Sequence, residues 1–384
     1  MVLFLHNRYR TTGGEERAVE DLAWLVRSRL GEPVELLERS SQGLPRSRAA
    51  LGLLRGGLDP QEVGREVRVR GVRVVHAHNL LPAFGWRALA AARDAGARVV
   101  LHLHQYRLVC AIGVCFTHGA ECTRCHGRNT LPGLRLNCRG ARAEGAAYAA
   151  SLALWQRRLV EQADVIVVPS AFARERLREL GAVLPWERLH VLAPPVRALD
   201  PLLAPAPPAA QARELPSYAL VVSRLAPEKG IDVAIDACHA AGLSLVIAGE
   251  GPERGALEAH AARAPGRGGA TVRFAGRVED AELAQLREHA SVALVPSRSA
   301  ETFGLAAAEA MAAGVPVAAS RVGALPELVE EQGLVAPGDP IALAGAIQRL
   351  ADDPDAGPRA RERAASLCAP EIVAHKLAEL YAGA

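Results

Sequence analysis

The sequence has no apolar run long enough to cross a membrane, and it has few aromatic residues. No stretch of the 384 residues approaches the roughly 18 uninterrupted apolar residues that a membrane-spanning helix requires. The opening residues, MVLFLH, lack a basic leader and a cleavage site, so we interpret them as a first strand and expect a cytoplasmic protein. Aromatic residues make up 4%, too few for a surface that stacks single-stranded nucleic acid. No nucleic-acid partner is expected.

Charge is divided unevenly along the chain. Residues 1–200 carry 29 arginines against 19 acidic residues, whereas residues 201–384 carry 16 basic and 23 acidic residues. A basic first half is typical of a protein that meets an anionic acceptor or touches a membrane surface peripherally. A solvated arginine-rich face explains the same composition, and both interpretations stay open.

Short apolar runs alternate with helical patterns through most of the chain. Near-continuous Val, Leu and Ile runs between helices are typical of parallel strands that are covered on both faces. The pattern breaks at 194–216, PPVRALDPLLAPAPPAAQARELP, because proline ends helices and strands and stiffens a linker. The sequence therefore predicts an α/β protein with two parallel-sheet domains on either side of a linker.

Two loops in the second half follow apolar runs. In VVSRLAPEKG, Arg224 and Lys229 stand after a predicted strand, where cations meet phosphate groups; an ordinary surface loop is the alternative. In VIAGEGPERGAL, Gly249 allows a tight turn and a close approach of a ligand.

The stretch SRSAETFGLAAAEAM, residues 297–311, places two carboxylates eight positions apart. We predict a helix that begins at Thr302-Phe303-Gly304-Leu305, with Glu301 at its rim and Glu309 about two turns on. The free N–H groups of a first helical turn bind anions, so one diphosphate there would lie between two sets of hydroxyls. Two solvated acids on a surface helix are the alternative.

This stretch, with SRLAPEKG, AGEGPE, FAGRV and GALPELV in the same order, resembles the Glu-x7-Glu signature of the retaining glycosyltransferases of family 4, also called group 1. The resemblance implies the GT-B fold, with two Rossmann-like parallel-sheet domains facing a central cleft. It divides the chain into an acceptor-side domain at 1–195, a linker at 196–216, a nucleotide-sugar domain at 217–366 and a helix at 367–384 that packs back on the first domain.

The resemblance also implies roles for individual residues. Arg224 and Lys229 neutralise the donor diphosphate, Glu301 binds hydroxyls of the donor sugar, and His104 hydrogen-bonds that sugar near the reacting carbon. These four form the predicted catalytic set. The predicted donor-binding residues are Gly14, Gly249, Arg277, Val278, Thr302, Phe303, Gly304, Leu305 and Glu309.

Two His-x-His pairs, His76/His78 and His102/His104, end predicted strands in the first half. Alternate residues of a strand share a face, so each pair can converge on a metal, which would suit a zinc hydrolase. In the family resemblance the stretch HLHQYRLVC usually reads His-Asp where this chain has His104-Gln105. Gln105 therefore removes a charged neighbour of the predicted catalytic histidine.

Five of the seven cysteines lie within 29 residues, in a segment at about 110–140. Cys110, Cys122, Cys125 and Cys138 would supply four thiolates for a structural zinc site. Reduced thiols and a disulfide are the alternatives, and Cys115, His118 and His126 are substitute ligands. A branch of the family with a similar cysteine-rich insertion favours the structural interpretation.

The predicted reaction is transfer of a hexose-type sugar, with retention, from a nucleotide-diphosphate sugar to an acceptor hydroxyl. Glycans, glycolipids and other glycoconjugates are the expected products, so the acceptor is a sugar, a lipid-linked sugar or a small molecule. Catalysis is expected to need no metal or other cofactor. The alternatives are a non-catalytic nucleotide-sugar-binding protein, an epimerase or phosphorylase of the same fold, and the zinc hydrolase.

Overall fold

The computed structural model describes residues 1–9, 13–203, 218–263 and 267–383. Contacts within the chain divide it into two compact units. The first unit comprises Met1–Thr117, Cys122–Pro195 and Pro370–Ala384, and the second comprises His118–Glu121 and Val196–Ala369. The predicted linker lies outside the described residues from position 204 onward.

Strands alternate with helices up to residue 195. The strands are β1 (Val2–Arg8), β2 (Val34–Ser40), β3 (Val74–Ala77), β4 (Arg98–His102), β5 (Phe116–Thr117), β6 (Ala120–Glu121), β7 (Val165–Val168) and β8 (Leu189–Val191). The helices are α1 (Gly14–Arg29), α2 (Arg46–Arg55), α3 (Pro60–Arg70), α4 (Gly85–Asp94), α5 (Leu131–Arg135), α6 (Arg142–Glu161) and α7 (Ala171–Glu179).

Six of these strands form a parallel sheet in the order β2-β1-β3-β4-β7-β8. Alternate residues of β1 face opposite sides of the sheet: Leu3 and Leu5 enter one buried apolar cluster, and Val2 and Phe4 enter another. The chain leaves β1 toward β2 on one side and later pairs β3 on the other. Parallel α/β sheets bind ligands beyond the carboxyl ends of the strands at such a reversal.

The same alternation continues after residue 217. The strands are β9 (Tyr218–Val222), β10 (Ser244–Ala248), β11 (Val272–Gly276), β12 (Ala290–Val295), β13 (Val317–Ser320) and β14 (Leu334–Val335). The helices are α8 (Ile231–Ala241), α9 (Arg254–Ala261), α10 (Asp280–His289), α11 (Leu305–Ala312), α12 (Leu325–Leu328), α13 (Pro340–Ala351), α14 (Ala356–Cys368) and α15 (Pro370–Ala382).

The second unit contains a parallel six-stranded sheet in the order β11-β10-β9-β12-β13-β14. Its reversal point lies between β9 and β12, so the loops that follow these two strands are the expected ligand-binding loops. The parallel α/β class predicted from the alternation of apolar runs is therefore confirmed.

The last helix, α15, belongs to the first unit although it follows the second unit in the chain. Its residues Val373, Leu377 and Tyr381 are buried in the cluster that contains Val2 and Phe4. Across the described ranges, none of the helices combines the length and the apolarity that crossing a membrane would take.

Candidate active site

Lys229 and Glu301 meet at the reversal point of the second sheet. Lys229 follows β9 and Glu301 follows β12, and the Lys229 Nζ atom lies 2.6 Å from Glu301 Oε1. The Ser297 hydroxyl donates a second hydrogen bond of 2.5 Å to the same carboxylate oxygen. Both charged side chains remain in reach of solvent, at 26% and 17% exposure. Two residues that the sequence places 72 positions apart thus form one charged pair.

Glu301 is held as a carboxylate. Burial by itself raises the pKa of Glu301, but the Lys229 charge and the hydrogen bonds from Lys229 and Ser297 outweigh it, so the pKa lies below its ordinary value. The positive charge of Arg224 acts in the same direction. An ionised carboxylate accepts hydrogen bonds and donates none, which suits the binding of sugar hydroxyls.

Gly230 allows the turn after β9 to lie against the turn after β12. Its φ is +63°, and a Cβ atom there would stand 2.1 Å from the Pro296 carbonyl oxygen. The backbone of Arg298 also donates a 2.8 Å hydrogen bond to the Glu228 carbonyl. These contacts bring Lys229 beside Glu301.

Arg224 and Gly249 lie in neighbouring turns at the same edge of the sheet. The Arg224 guanidinium is paired with the Glu228 carboxylate, a partner that sequence reasoning missed. Gly249 has a φ of +144°, and a Cβ atom there would stand 1.9 Å from the Ser223 carbonyl oxygen. The turn that carries Arg224 thus lies against Gly249, and the approach of a ligand to Gly249 stays a prediction.

The helix predicted to begin at Thr302 begins instead at Leu305, so that part of the prediction is wrong. Gly304 has a φ of +101°, which an α-helix does not accommodate, and it stands as the residue before the helix. Thr302 and Phe303 lie in the preceding loop. Within the described residues no acceptor is found for the amides of Phe303, Gly304 and Leu305, and the first bond of the helix runs from Ala308 to the Gly304 carbonyl at 3.1 Å. Such amides are available to an anion.

Glu309 lies in the second turn of α11, as the spacing predicts. Its carboxylate is paired with the Arg287 guanidinium of α10, and both side chains are largely buried. Arg287 is a second partner that sequence reasoning missed. Two further predicted donor-binding residues directly follow β11: Arg277, which is exposed, and Val278, which is half-buried.

The first sheet places His104 two residues beyond β4. Its Nε2 atom lies 2.9 Å from Nδ1 of His78, which directly follows β3, and its ring stacks on His102 with centroids 4.1 Å apart. Burial lowers the pKa of the His104 imidazole well below its ordinary value, and the neighbouring His102 and His6 add to the effect. His104 is therefore a neutral imidazole at neutral pH.

Gly13 and Gly14 connect the first strand to α1, which begins at Gly14. The Gly13 amide donates a 2.7 Å hydrogen bond to Glu16 Oε2. Gly14 is exposed, and a Cβ atom there would meet no described atom within 4 Å. Residues 10–12 of the preceding loop lie outside the described residues.

Gln105 contacts a buried carboxyl group. Its Nε2 atom donates a 3.2 Å hydrogen bond to Glu15 Oε2, and its Oε1 atom accepts a 2.9 Å bond from Arg107 Nε. Burial raises the pKa of Glu15 to about 8, against the Arg107 charge that lowers it, and the nearby Glu16 raises it further. The Glu15 carboxyl group therefore lies within hydrogen-bond distance of Gln105, the residue that stands where the family resemblance expects an Asp.

Comparison with protein families identifies both parts of the chain. The family described as "Glycosyl transferase 4-like domain" matches residues 2–195, and the family described as "Glycosyl transferases group 1" matches residues 207–366. The chain belongs to glycosyltransferase family 4. The family predicted from the Glu-x7-Glu stretch is confirmed, whereas a cysteine-rich branch within it stays a prediction.

Two relatives from Mycobacterium tuberculosis match part of this family 4 glycosyltransferase. The GDP-mannose-dependent alpha-(1-6)-phosphatidylinositol dimannoside mannosyltransferase is 35% identical over 233 residues, which cover 57% of this chain and 58% of the relative. Glycogen synthase is 38% identical over 181 residues, which cover 44% of this chain and 43% of the relative. The chain thus spans about half the length of the curated relatives that it matches.

Two solved structures resemble the glycosyltransferase over its whole length. Anabaena HepE in complex with UDP-glucose has a TM-score of 0.66 at 19% identity, covering 100% of this chain and 99% of that chain. Sucrose-phosphate synthase from Thermosynechococcus elongatus has a TM-score of 0.69 at 20% identity, covering 99% and 98%. At these identities the likeness shows the fold alone, and it confirms the predicted GT-B class with its two Rossmann-like sheets.

The cysteine-rich segment of the glycosyltransferase does not assemble the predicted zinc site. Its five cysteines line one small cavity, and all seven cysteines of the chain are free. A tetrahedral thiolate site with Zn–S bonds of about 2.3 Å needs sulfur atoms about 3.8 Å apart. Among the described residues, three or more metal-binding side chains have ligand atoms within 4.8 Å of one another only at His76, His78 and His102. The thiols therefore do not fit zinc in this arrangement.

Two of these thiols contact each other. A hydrogen bond with the Cys115 thiol lowers the pKa of Cys110 to about 6, despite the burial that raises it. The same bond and burial raise the pKa of Cys115. Cys122, Cys125 and Cys138 share the cavity with this pair. The arrangement is that of reduced thiols, one of the alternatives that the sequence leaves open.

Proposed function

We propose that this protein is a retaining glycosyltransferase that moves a hexose-type sugar from a nucleotide-diphosphate sugar to an acceptor hydroxyl. The observation that carries the proposal is the pair of Lys229 and Glu301, at the reversal point of the second sheet and one loop before α11. A cation, a carboxylate and the amides that open α11, for which the described part of the chain supplies no acceptor, stand together there. This combination matches a ligand with a diphosphate at one end and hydroxyls at the other.

Arg224, Lys229 and the amides at Phe303–Leu305 act on the diphosphate in this proposal, and Thr302 lies in the same loop. During transfer the bond between the sugar C1 and the diphosphate oxygen breaks, and negative charge develops on the leaving diphosphate. Fixed cations and amide donors stabilise such charge without having to reorganise. This electrostatic stabilisation of the transition state is the largest contribution to the rate enhancement of many enzymes. Lys229 is fixed by its pair with Glu301 and shares this contact with the phosphate.

Glu301 and Glu309 divide the hydroxyl groups of the donor. The lowered pKa of Glu301 keeps it ionised, so it accepts hydrogen bonds from the sugar. Glu309, held by Arg287 in the second turn of α11, is assigned to the ribose. Main chain at Arg277 and Val278 is assigned to the base, and Gly249 and Gly14 give backbone access to the ligand.

His104 is assigned to the donor sugar as a neutral hydrogen-bonding imidazole. The acceptor oxygen bonds to C1 on the face from which the diphosphate leaves, and the acceptor proton passes to a diphosphate oxygen. The protein then needs no side chain of its own to take that proton, and independence from metal is part of the proposal. It is checked by assaying transfer in the presence of a chelator, where a loss of activity would count against it.

The acceptor class follows from the relatives and from the surface of the first unit. One relative acts on a phosphatidylinositol dimannoside, and a lipid-linked sugar is therefore a first acceptor class to test, beside free sugars and small molecules. Helix α2 exposes Leu51 and Leu54 together with Arg46, Arg48 and Arg55. Apolar and basic groups side by side suit peripheral contact with an anionic membrane surface.

Cosedimentation with phosphatidylglycerol vesicles tests the membrane contact. Binding is expected to exceed that to phosphatidylcholine vesicles and to fall on Arg46→Gln/Arg48→Gln/Arg55→Gln substitution, because basic residues near an anionic surface each contribute about 1 kcal/mol. Equal binding to both kinds of vesicle would contradict it. A cytoplasmic location with peripheral membrane contact is the corresponding proposal for the cell.

Structural zinc in the segment at 110–140 is retained only as a proposal, supported by five cysteines around one cavity. It requires the thiols to move closer together than they stand here. Metal analysis of protein purified without chelator decides it: one zinc per chain supports the proposal, and well under one zinc per chain overturns it.

A donor screen tests the main proposal. GDP-mannose and UDP-glucose, the donors named for a relative and for a solved neighbour, are the first candidates. A donor at 100 times its dissociation constant stabilises the fold by about 2.7 kcal/mol, which a thermal shift detects. Formation of an α-linked product from an α-linked donor, read by the anomeric proton signals, supports retention. Donor binding with neither transfer nor hydrolysis identifies a non-catalytic sugar-nucleotide-binding protein instead.

A further inference from the structure

A column of four buried or half-buried imidazoles runs along the carboxyl ends of β3 and β4. It consists of His76, His78, His102 and His104, and we call it the histidine column. The rings of His76 and His78 stack with centroids 4.5 Å apart, and those of His102 and His104 at 4.1 Å. The proposed reaction uses His104 alone and leaves the other three without a role.

Hydrogen bonds link the histidine column in two branches. In one branch the Tyr381 hydroxyl lies 2.7 Å from His76 Nδ1, and His76 Nε2 lies 3.3 Å from His102 Nδ1. In the other branch His78 Nδ1 lies 2.9 Å from His104 Nε2. Among the described residues, the His104 ring is thus hydrogen-bonded to one imidazole, that of His78.

The environment of the other ring nitrogen of His78, Nε2, decides which of the two nitrogens of this imidazole carries the proton. His78 Nε2 is buried, and none of the described residues offers it a hydrogen-bond partner. A buried N–H group without an acceptor is rarer and costlier than an unused lone pair, so the proton of neutral His78 belongs on Nδ1. His78 Nδ1–H then donates to His104 Nε2, and the proton of neutral His104 must lie on its Nδ1.

We propose that His78 is a positioning residue that holds His104 in the Nδ1–H tautomer, so that His104 presents an N–H donor to an oxygen of the donor sugar. The inference rests on the proposed glycosyltransferase function for the identity of the ligand. Burial lowers the pKa of both imidazoles, which keeps each of them neutral and the donor–acceptor assignment fixed.

A metal bound by His76, His78 and His102 is the competing explanation, because their ligand atoms lie within 4.8 Å of one another. His76, however, already uses both ring nitrogens, one toward Tyr381 and one toward His102. A metal would have to break one of these bonds and would bring a double positive charge among neutral buried groups. The hydrogen bonds therefore favour the column as it stands.

Nitrogen chemical shifts of the histidine side chains, measured on the whole protein labelled with 15N-histidine, test the tautomer directly. We expect the protonated nitrogen of His104 to be Nδ1 in the wild type and in His78→Asn, whose side-chain amide can donate from the same position. In His78→Leu we expect that preference to be lost. His6→Leu is the matched control, since His6 is buried nearby but makes no hydrogen bond to His104. A wild-type His104 protonated on Nε2 overturns the proposal whatever the variants do.

Kinetics test the link between the two residues. If His78 acts through His104, His78→Leu lowers kcat by about 10- to 100-fold with little change in donor KM, since misplacing one group costs about that much. His78→Asn restores most of the rate, and His78→Leu adds no further loss in a His104→Ala background. Equal losses in both backgrounds overturn the proposal.

Two further results separate this inference from the proposed function and from the metal. One equivalent of bound metal whose removal by chelator changes the histidine shifts overturns the hydrogen-bond column. In the second result, the protein transfers sugar from none of the donors while His104 still shows the Nδ1–H tautomer in the wild type and loses it in His78→Leu. That result would overturn the proposed function and would leave the positioning of His104 by His78 intact.

Discussion

The Lys229 ammonium and the Glu301 carboxylate neutralise each other across the ends of β9 and β12, 2.6 Å apart. The family resemblance assigns the first to a phosphate and the second to a sugar, and the structure pairs the two side chains with each other. A donor has to share this contact rather than fill two separate sites. Substitution of either residue therefore leaves a half-buried charge without its partner, as well as removing a ligand contact.

Glu301→Gln is expected to lower kcat/KM by about 10- to 100-fold, because a hydrogen bond to a charged group contributes about 1.5–3 kcal/mol. The amide keeps the size of the side chain but loses the negative charge. Initial rates with the best donor measure the effect. Glu331→Gln is the control: this exposed residue of the same unit is paired with Arg321, and its substitution is expected to leave the rate unchanged. Unchanged transfer by Glu301→Gln would remove this residue from the site.

Glu309→Gln is expected to weaken binding of the free nucleoside diphosphate by about 10-fold, since one ribose contact is lost. Arg287→Met should weaken it to a smaller extent by releasing the Glu309 side chain from its partner. Isothermal titration with UDP and with GDP measures both. A variant that keeps full nucleotide affinity but loses turnover would contradict the assignment of Glu309 to the ribose.

Glu15→Gln is expected to stabilise the protein at neutral pH. The pKa of Glu15 is raised to about 8 in the folded state and lies near 4.5 in the unfolded chain, so the folded state holds a proton that the unfolded state releases. The amount by which Glu15 lowers the free energy of unfolding grows as pH rises from about 4.5 to 8, and it reaches up to about 3 kcal/mol at pH 7. Urea unfolding at pH 5 and pH 8 measures the difference between variant and wild type.

The matched control for this substitution is Glu20→Gln, in the same helix but exposed. It should change the free energy of unfolding by at most about 0.5 kcal/mol at either pH. A Glu15→Gln variant whose gain is the same at pH 5 and pH 8 would show that Glu15 is ionised in the folded protein.

Acidification below about pH 6.5 is expected to destabilise the first unit. Burial lowers the pKa of His76 to about 3 and of His6 to about 4, so the unfolded chain takes up protons that the folded state refuses. Each such histidine lowers the free energy of unfolding by about 1.4 kcal/mol for every pH unit between 6.5 and its pKa in the folded state. His76→Phe should lower the slope of unfolding free energy against pH by about this amount, whereas His190→Gln, at an exposed position, should leave it unchanged. An equal slope in wild type and His76→Phe would disprove a neutral buried His76.

The sequence predicts those parts of the site that depend on local order along the chain. Apolar runs identify the strands, and the residues that follow β9 and β12 are predicted to face a ligand because parallel strands end at one edge. Gly304 shows the limit: the composition of TFGL suits a helix start, but a φ of +101° moves that start to Leu305. A backbone angle is set by packing around it, which composition does not report.

Partners from distant segments are the part that sequence reasoning missed. Arg287 and Glu309 come from different helices, and nothing in their spacing indicates that they meet. The cysteines illustrate the opposite case: their spacing matches a zinc site, but among the described residues no three of their sulfur atoms lie within 4.8 Å of one another. Spacing constrains which residues are able to meet, and the tertiary fold decides which of them do.

Helix α15 completes the apolar layer that contains Val2 and Phe4, and its Tyr381 closes one end of the histidine column. On the ribosome, β1 to β8 are made before the second unit, and α15 is made after it. The first unit to be synthesised is therefore the last whose core is filled, and the nascent chain carries an exposed apolar face while the second unit folds. The layer that contains Val2 and Phe4 is therefore complete only after the ribosome has passed the second unit.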